Sequence, residues 1–116
     1  MSYRVRLAET AKQDLREIAF SIADQAKDRE IARSFVNELR ASCNRLVDFP
    51  QAGAFPKDHV LRSMEYRYIV HKGYLIFYAI DETEKVVNIL AIFNERRDYL
   101  RVMSRFIRIA KAAYRA

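Results

Sequence analysis

The side chains with chemistry to offer gather in one short run, Asn94-Glu-Arg-Arg-Asp-Tyr99. Arg96 and Arg97 supply planar cations that can grip a phosphate or a carboxylate by two bonds at once. Acid–base chemistry at such a cluster takes a base for the attacking group, an acid for the leaving group and cations for the charge that builds between them. Neither arginine can be the base, because the guanidinium stays protonated far above neutral pH. The titratable candidates are His59, His71 and Glu95. His71 adjoins Lys72-Gly73 and reads as an exposed turn residue, and Glu95 beside Arg96 reads as half of an ion pair. Two isolated histidines and one cysteine give no metal-ligand spacing, and two glycines give no phosphate-cradling loop. Neither a cofactor nor a metal is expected. The cluster therefore reads as a contact surface rather than an acid–base pair.

Three runs rich in aromatic and β-branched residues lead into this cluster, between Tyr66 and Asp98. Lys72-Gly73 separates the first two, and Asp81-Glu-Thr-Glu84 separates the second from Val86–Phe93. That pattern predicts an antiparallel meander with two hairpin turns, the first using Gly73 at positive φ. Upstream, Tyr3–Leu7 alternates as a short strand with Tyr3, Val5 and Leu7 on one face. Thr10-x-x-Gln13 reads as a capping box opening a helix whose apolar positions are Ala11, Leu15, Ile18, Ala19 and Ile22. Asp14, Glu17 and Asp24 then belong with Lys12 and Arg16 on a solvated face. Asp28 caps a second helix over about Arg29 to Asp48, with Ile31, Phe35, Leu39, Ser42/Cys43 and Leu46 as its buried stripe. The lone Cys43 reads as a small core residue.

Phe49–Pro56 is a turn. Val60–Met64 could also form a short strand, outside the main element order, and would then place Arg62 on the same face as Val60 and Met64. Asp98 to Tyr114 forms a third, amphipathic helix. Leu100, Met103, Phe106/Ile107, Ala110 and Ala113/Tyr114 recur at steps of three and four, opposite Arg101, Ser104, Arg105, Arg108 and Lys111. The fold class expected is α+β in the order β-α-α-β-β-β-α, with the helical hairpin on one face of the sheet and the other face left for function.

At 116 residues with 51% hydrophobic side chains, residues 1–116 make one domain with a modest core. The net charge of +6 is concentrated at one end. Residues 1–95 carry 14 basic and 14 acidic side chains, whereas 96–116 carry Arg96, Arg97, Arg101, Arg105, Arg108, Lys111 and Arg115 against Asp98 alone. A basic segment at 98–116 can solvate its charges, dock an acidic partner or lie on anionic lipid. A single cysteine and the absence of an apolar leader or span suit a cytoplasmic protein with no membrane partner.

The ordered set of segments resembles the RelE/ParE superfamily of type II toxins, ParE-like branch. Its carriers are Ala11-Lys-Gln-Asp-Leu-Arg-Glu-Ile18, Phe49-Pro-Gln-Ala-Gly53, Gly73-Tyr-Leu-Ile-Phe-Tyr78 and Val86-Val-Asn-Ile-Leu-Ala-Ile-Phe-Asn-Glu-Arg-Arg-Asp98. The resemblance implies a toxin neutralised by a cognate antitoxin, in a complex that binds its own operator DNA through the antitoxin. RelE-like members cleave ribosome-bound mRNA, and ParE-like members poison DNA gyrase by binding. Where the RNA cleavers carry arginine after Gly-Tyr of the middle strand, this chain has Leu75. The branch implied is therefore the gyrase poison, with the endoribonuclease as alternative. Target contacts fall to Arg62, Arg96, Arg97, Tyr99, Arg101 and Arg105. Antitoxin contacts fall to Leu100, Met103, Phe106, Ile107 and Arg108.

Overall fold

The computed structural model describes residues 3–115, with side chains through residue 113. Strand β1 (Arg4–Leu7) leads into helices α1 (Glu9–Ala26) and α2 (Arg29–Asn44), the latter closing in a 3-10 turn, Arg45–Val47. A short helix α3 (His59–Ser63) precedes strands β2 (Arg67–His71), β3 (Tyr74–Asp81) and β4 (Val86–Asn94), and α4 (Glu95–Arg115) follows directly. The sheet order is β1-β4-β3-β2. β2, β3 and β4 form the expected antiparallel meander, while β1 pairs parallel to β4, so the sheet as a whole is mixed.

The meander turns where its residues permit. Lys72 (φ 47°) and Gly73 (φ 83°) are both left-handed, the backbone of a two-residue turn whose twist suits a hairpin. Along β3 the period of two sends Ile76 and Tyr78 into one core and Leu75 and Phe77 into a second, on opposite faces. On β4 the phase flips midway. Tyr78 pairs with Ile89 and Phe77 with Ala91, so Leu90 is an extra, bulged residue. Val87 and Ile89 before the bulge and Ile92 after it share the first core, while Ala91 and Phe93 reach the second.

Helices α1 and α2 cover the first core with Ala11, Leu15, Ile18, Leu39, Cys43 and Leu46. Asp28 caps α2 as expected, its carboxylate accepting from the Glu30 N–H at 2.8 Å. Cys43 is fully buried, and desolvation pushes its thiol up to about 11, which leaves it a core group with negligible thiolate at neutral pH. Ile31, expected in the stripe, is half exposed, and Ala32 is buried instead.

Three expectations are corrected here. Val60–Met64 is not a strand. Asp58 accepts from the Val60 and Leu61 N–H groups and nucleates α3, which buries Leu61 and leaves Arg62 exposed. The second sheet face is not free either, because Leu61 of α3 and Val102 and Met103 of α4 seal it. Finally, Thr10 and Gln13 form no capping box, and Ala8 is the cap residue with no side-chain bond.

Thr10 has other work, and so does Asp14. β1 ends at Leu7, opposite Ile89, leaving the second half of β4 without a strand on that side. Helix α1 fills in: the Thr10 hydroxyl donates to the Leu90 carbonyl at 2.6 Å, and the Asp14 carboxylate accepts from the Ile92 N–H at 2.9 Å. Asp14 is thus a strand surrogate rather than a solvated charge. Burial raises its pKa above the ordinary range, with Glu17 adding to the rise, against the Ile92 N–H and the cations Arg105 and Arg101.

A raised carboxyl favours the folded state while it is protonated. Its contribution therefore declines as pH climbs from the ordinary carboxylate range through Asp14's own higher value. Asp14→Asn keeps an acceptor for Ile92 and removes that decline. Asp14→Ala orphans a buried N–H and costs about 1–3 kcal/mol. Urea midpoints from about pH 4 to about pH 7 should show Asn at or above the parent and Ala below it.

Candidate functional site

The polar cluster sits where β4 runs without a break into α4. Asn94 ends the strand and turns its side chain onto the helix, accepting from the Arg97 N–H at 2.9 Å. The Glu95 N–H donates to the Gly73 carbonyl at 2.9 Å, tying the helix start to the β2–β3 turn. Asp98 is largely covered and holds two arginines: Arg97 at 3.1 Å and Arg101 at 3.3 Å. Burial alone would raise the Asp98 carboxyl, but bonds from Arg97 and Arg101 outweigh it and hold the group below its usual range. Asp98 therefore stays charged and orients both guanidiniums along the helix.

The structure gathers Arg96, Arg97, Arg101 and Arg105 on α4, all exposed. Arg62 stands on another element. Its guanidinium carbon lies 5.6 Å from the Phe55 ring centroid, while that of Arg67 lies 4.1 Å from the same ring. Arg67 also donates to the Gly53 carbonyl at 2.9 Å. Tyr99 packs partly into the second core. Burial raises its hydroxyl pKa, and Tyr68, Asp58 and Glu95 push it the same way. Two carboxylates and a second phenol thus lie near it.

Among the residues expected to contact an antitoxin, Met103 is 4% exposed within the second core, and Phe106 and Ile107 pack against that core. Phe106 stacks on Phe77 at a centroid separation of 4.7 Å. These three hold α4 to the sheet. Leu100 is 79% exposed, and Arg108 is exposed as well. The helical stripe is thus rotated from the expected one: Val102 is buried in place of Leu100. Tyr114 and Arg115, at the helix end, have side chains outside the described residues.

Of the other titratable candidates, only His71 is held by a salt-bridge partner among the described residues. His71 is not an open turn residue: its Nε2 lies 2.8 Å from Glu38, which also takes Lys72 at 2.8 Å. His59 is exposed at the start of α3. Glu95 makes no ion pair with Arg96 among the described residues. Leu75, where an RNA cleaver would need its arginine, is 1% exposed in the second core. Among the described residues no three His, Cys, Asp or Glu side chains gather as metal ligands, and no helix is long and apolar enough to cross a membrane.

A groove of about 370 Å³ runs between α1 and α4, with Leu90, Ala91 and Phe93 at its base. Asp14 and Glu17 line one wall and Arg101 and Arg105 the other. This groove escaped the sequence reading. Its only signal was that Asp14 and Arg105 are charged on faces that α1 and α4 turn toward each other, which no single-helix pattern reveals.

Among solved structures, the fold is similar to a chain in the crystal structure of the toxin–antitoxin complex RelBE2 from Mycobacterium tuberculosis. The TM-score is 0.59 at 20% identity, covering 81% of this chain and 99% of that one. No curated protein matches the sequence significantly. The family described as the ParE toxin of type II toxin-antitoxin system, parDE, matches residues 5–99, from β1 into the first turns of α4, and the chain belongs to that family.

Proposed function

We propose that this ParE-family toxin acts by gripping DNA gyrase engaged on DNA and stalling replication, and that a cognate antitoxin neutralises it. One observation carries the reading: Leu75 is buried in the second core where an RNA cleaver carries arginine, and the cations of the site lie outside on α4. Leu75 fills the middle strand under α4, and Tyr99 lies near Asp58 and Glu95, whose charges would repel a phosphodiester. Arg96, Arg97, Arg101 and Arg105 are exposed and always charged, and their role is electrostatic contact. Arg62, beside Phe55, and Tyr99 add contacts at the α3 side. The antitoxin meets the exposed Leu100 and Arg108 directly. Phe106 and Ile107, partly exposed, offer it their outer edges, whereas contact with Met103 requires α4 to leave the sheet. Operator DNA is bound through the antitoxin.

Purified protein should trap gyrase–DNA cleavage complexes or inhibit supercoiling, and leave ribosome-bound message intact. Replacing Arg96 and Arg97 with Ala should reduce that inhibition by at least about tenfold, the scale of losing one good charged contact. Discrete codon-phased cuts in translated message, lost in the same double variant, would instead make the protein an endoribonuclease.

A further inference from the structure

Resting on the gyrase–DNA reading, we propose that the outer ridge of α4 is a sequence-independent contact for the phosphate backbone of duplex DNA. Arg97, Arg101, Arg105, Arg108 and Lys111 succeed one another at steps of four, four, three and three. At 3.6 residues per turn these steps keep all five within about a third of the helix circumference, along roughly 21 Å of axis. All five are exposed, and the opposite side of α4 carries the buried Val102, Met103 and Ala110. The fold therefore turns the cations away from the core, with Arg101 and Arg105 also edging the α1–α4 groove.

The sole acid among them, Asp98, is largely covered and already bound to Arg97 and Arg101. Arg105, Arg108 and Lys111 take part in no ion pair among the described residues. Asp14 and Glu17 face Arg101 and Arg105 across the α1–α4 groove, whereas Arg108 and Lys111 lie beyond its lining. The free charge is thus greatest toward the far end of the helix.

Duplex DNA fits this ridge better than an acidic protein segment does. A peptide that folds on its partner needs apolar pockets spaced for its anchors. The ridge has Ser104 between its cations, and its exposed large apolar groups, Leu100 and Ile109, lie apart on its two edges. A helix about 10–12 Å across matches a major groove about 12 Å wide, and guanidiniums bind phosphate oxygens in pairs. No Asn or Gln stands on the ridge to read adenine edges, and arginines engaged on phosphates read no base, so binding should follow charge and not sequence.

The test is fluorescence anisotropy of the full chain with a short mixed-sequence duplex, titrated across about 50 to 200 mM salt. The parent should bind, with a logarithmic salt slope of about −4 to −5 for five phosphate contacts. The triple variant Arg105→Glu, Arg108→Glu, Lys111→Glu should bind at least about tenfold more weakly, with a slope shallower by about 3. A charge-matched control, Arg29→Glu, Arg33→Glu, Arg40→Glu on α2, across the sheet from α4, should retain most of the affinity. Circular dichroism melts check that both variants are folded.

No duplex binding at the lowest salt would overturn the proposal. So would equal losses in both variants, or capture of an Asp/Glu-rich peptide under conditions where the duplex stays free. Supercoiling inhibition measured alongside separates the two levels. Intact inhibition without duplex binding removes only the DNA contact, whereas duplex binding without any effect on gyrase removes the functional reading.

Discussion

Gly53→Ala is expected to destabilise the protein by about 3 kcal/mol or more, the upper end of what overpacking a closed site costs. A Cβ added there would stand 2.5 Å from the Tyr78 hydroxyl and 2.8 Å from the Tyr68 carbonyl oxygen. Neither can retreat. Tyr78 is fully buried, and its hydroxyl accepts from the Gly53 N–H at 2.9 Å and donates to the Pro50 carbonyl at 2.7 Å. Tyr68 is held by reciprocal backbone bonds with Ala54. The Phe49–Pro56 turn is therefore bolted to the middle strand through one phenol, and a methyl group forces that bolt out. Displacing the ring would also orphan two backbone groups, at about 1–3 kcal/mol each. Gly73→Ala is the internal comparison. Nothing lies within 4 Å of its added Cβ, but φ is +83°, so the cost is local strain of about 1 kcal/mol. Denaturant midpoints should therefore fall much further for Gly53→Ala. Equal shifts at the two glycines would mean that the turn yields and the Tyr78 anchor is not rigid.

The meander was legible because each of its signals is local. Aromatic and β-branched runs, a Lys72-Gly73 break and a polar 81–84 loop specify strands and turns within a few residues of themselves. The Asp28 cap was legible for the same reason. What failed depended on partners far along the chain. Asp14 looks like any helix-surface carboxylate until β1 proves too short to cover the second half of β4, 78 positions away in sequence. Thr10 has the spacing of a capping box, yet its hydroxyl is drawn to Leu90. In Val60–Met64 a neutral alternation competed with an Asp58 cap, and the cap won because it satisfies two N–H groups that a strand would leave to pairing. The run of cations at the C-terminal end was plain in the composition. Which apolar residues lie beneath them was less so, since Leu100 and Val102 differ by about 200° around the helix and only the sheet selects between them.

Phe77→Ala should cost about 3–5 kcal/mol, a large share of the roughly 5–15 kcal/mol that holds a domain of this size, and the loss should fall first on α4. Phe77 is fully buried, and its ring lies 4.7 Å from that of Phe106 and 5.0 Å from that of Tyr66. Deleting it empties the place where α4 meets the sheet, while the first core on the opposite face keeps all its members. α4 then opens locally at a lower free energy than the whole domain, and trypsin should cut at Arg105 and Arg108 well before global unfolding. Leu39→Ala supplies the contrast. It removes a fully buried side chain from the first core, costs about 2–5 kcal/mol and should lower the melting temperature comparably. Because it leaves the Phe77–Phe106 contact in place, cleavage at Arg105 and Arg108 should accelerate only in step with global stability. Mass spectrometry of short tryptic digests distinguishes the two patterns. If both variants released α4 fragments alike, the two faces would be one cooperative core, and the cationic helix could not respond independently of the domain that carries it. If only Phe77→Ala does so, loss of activity on deleting the C-terminal segment says little about its charges, because the same cut strips Leu75, Phe77 and Phe93 of their cover and exposes an apolar face prone to association. Charge substitutions on an intact α4 are then the meaningful probe of what the arginines do.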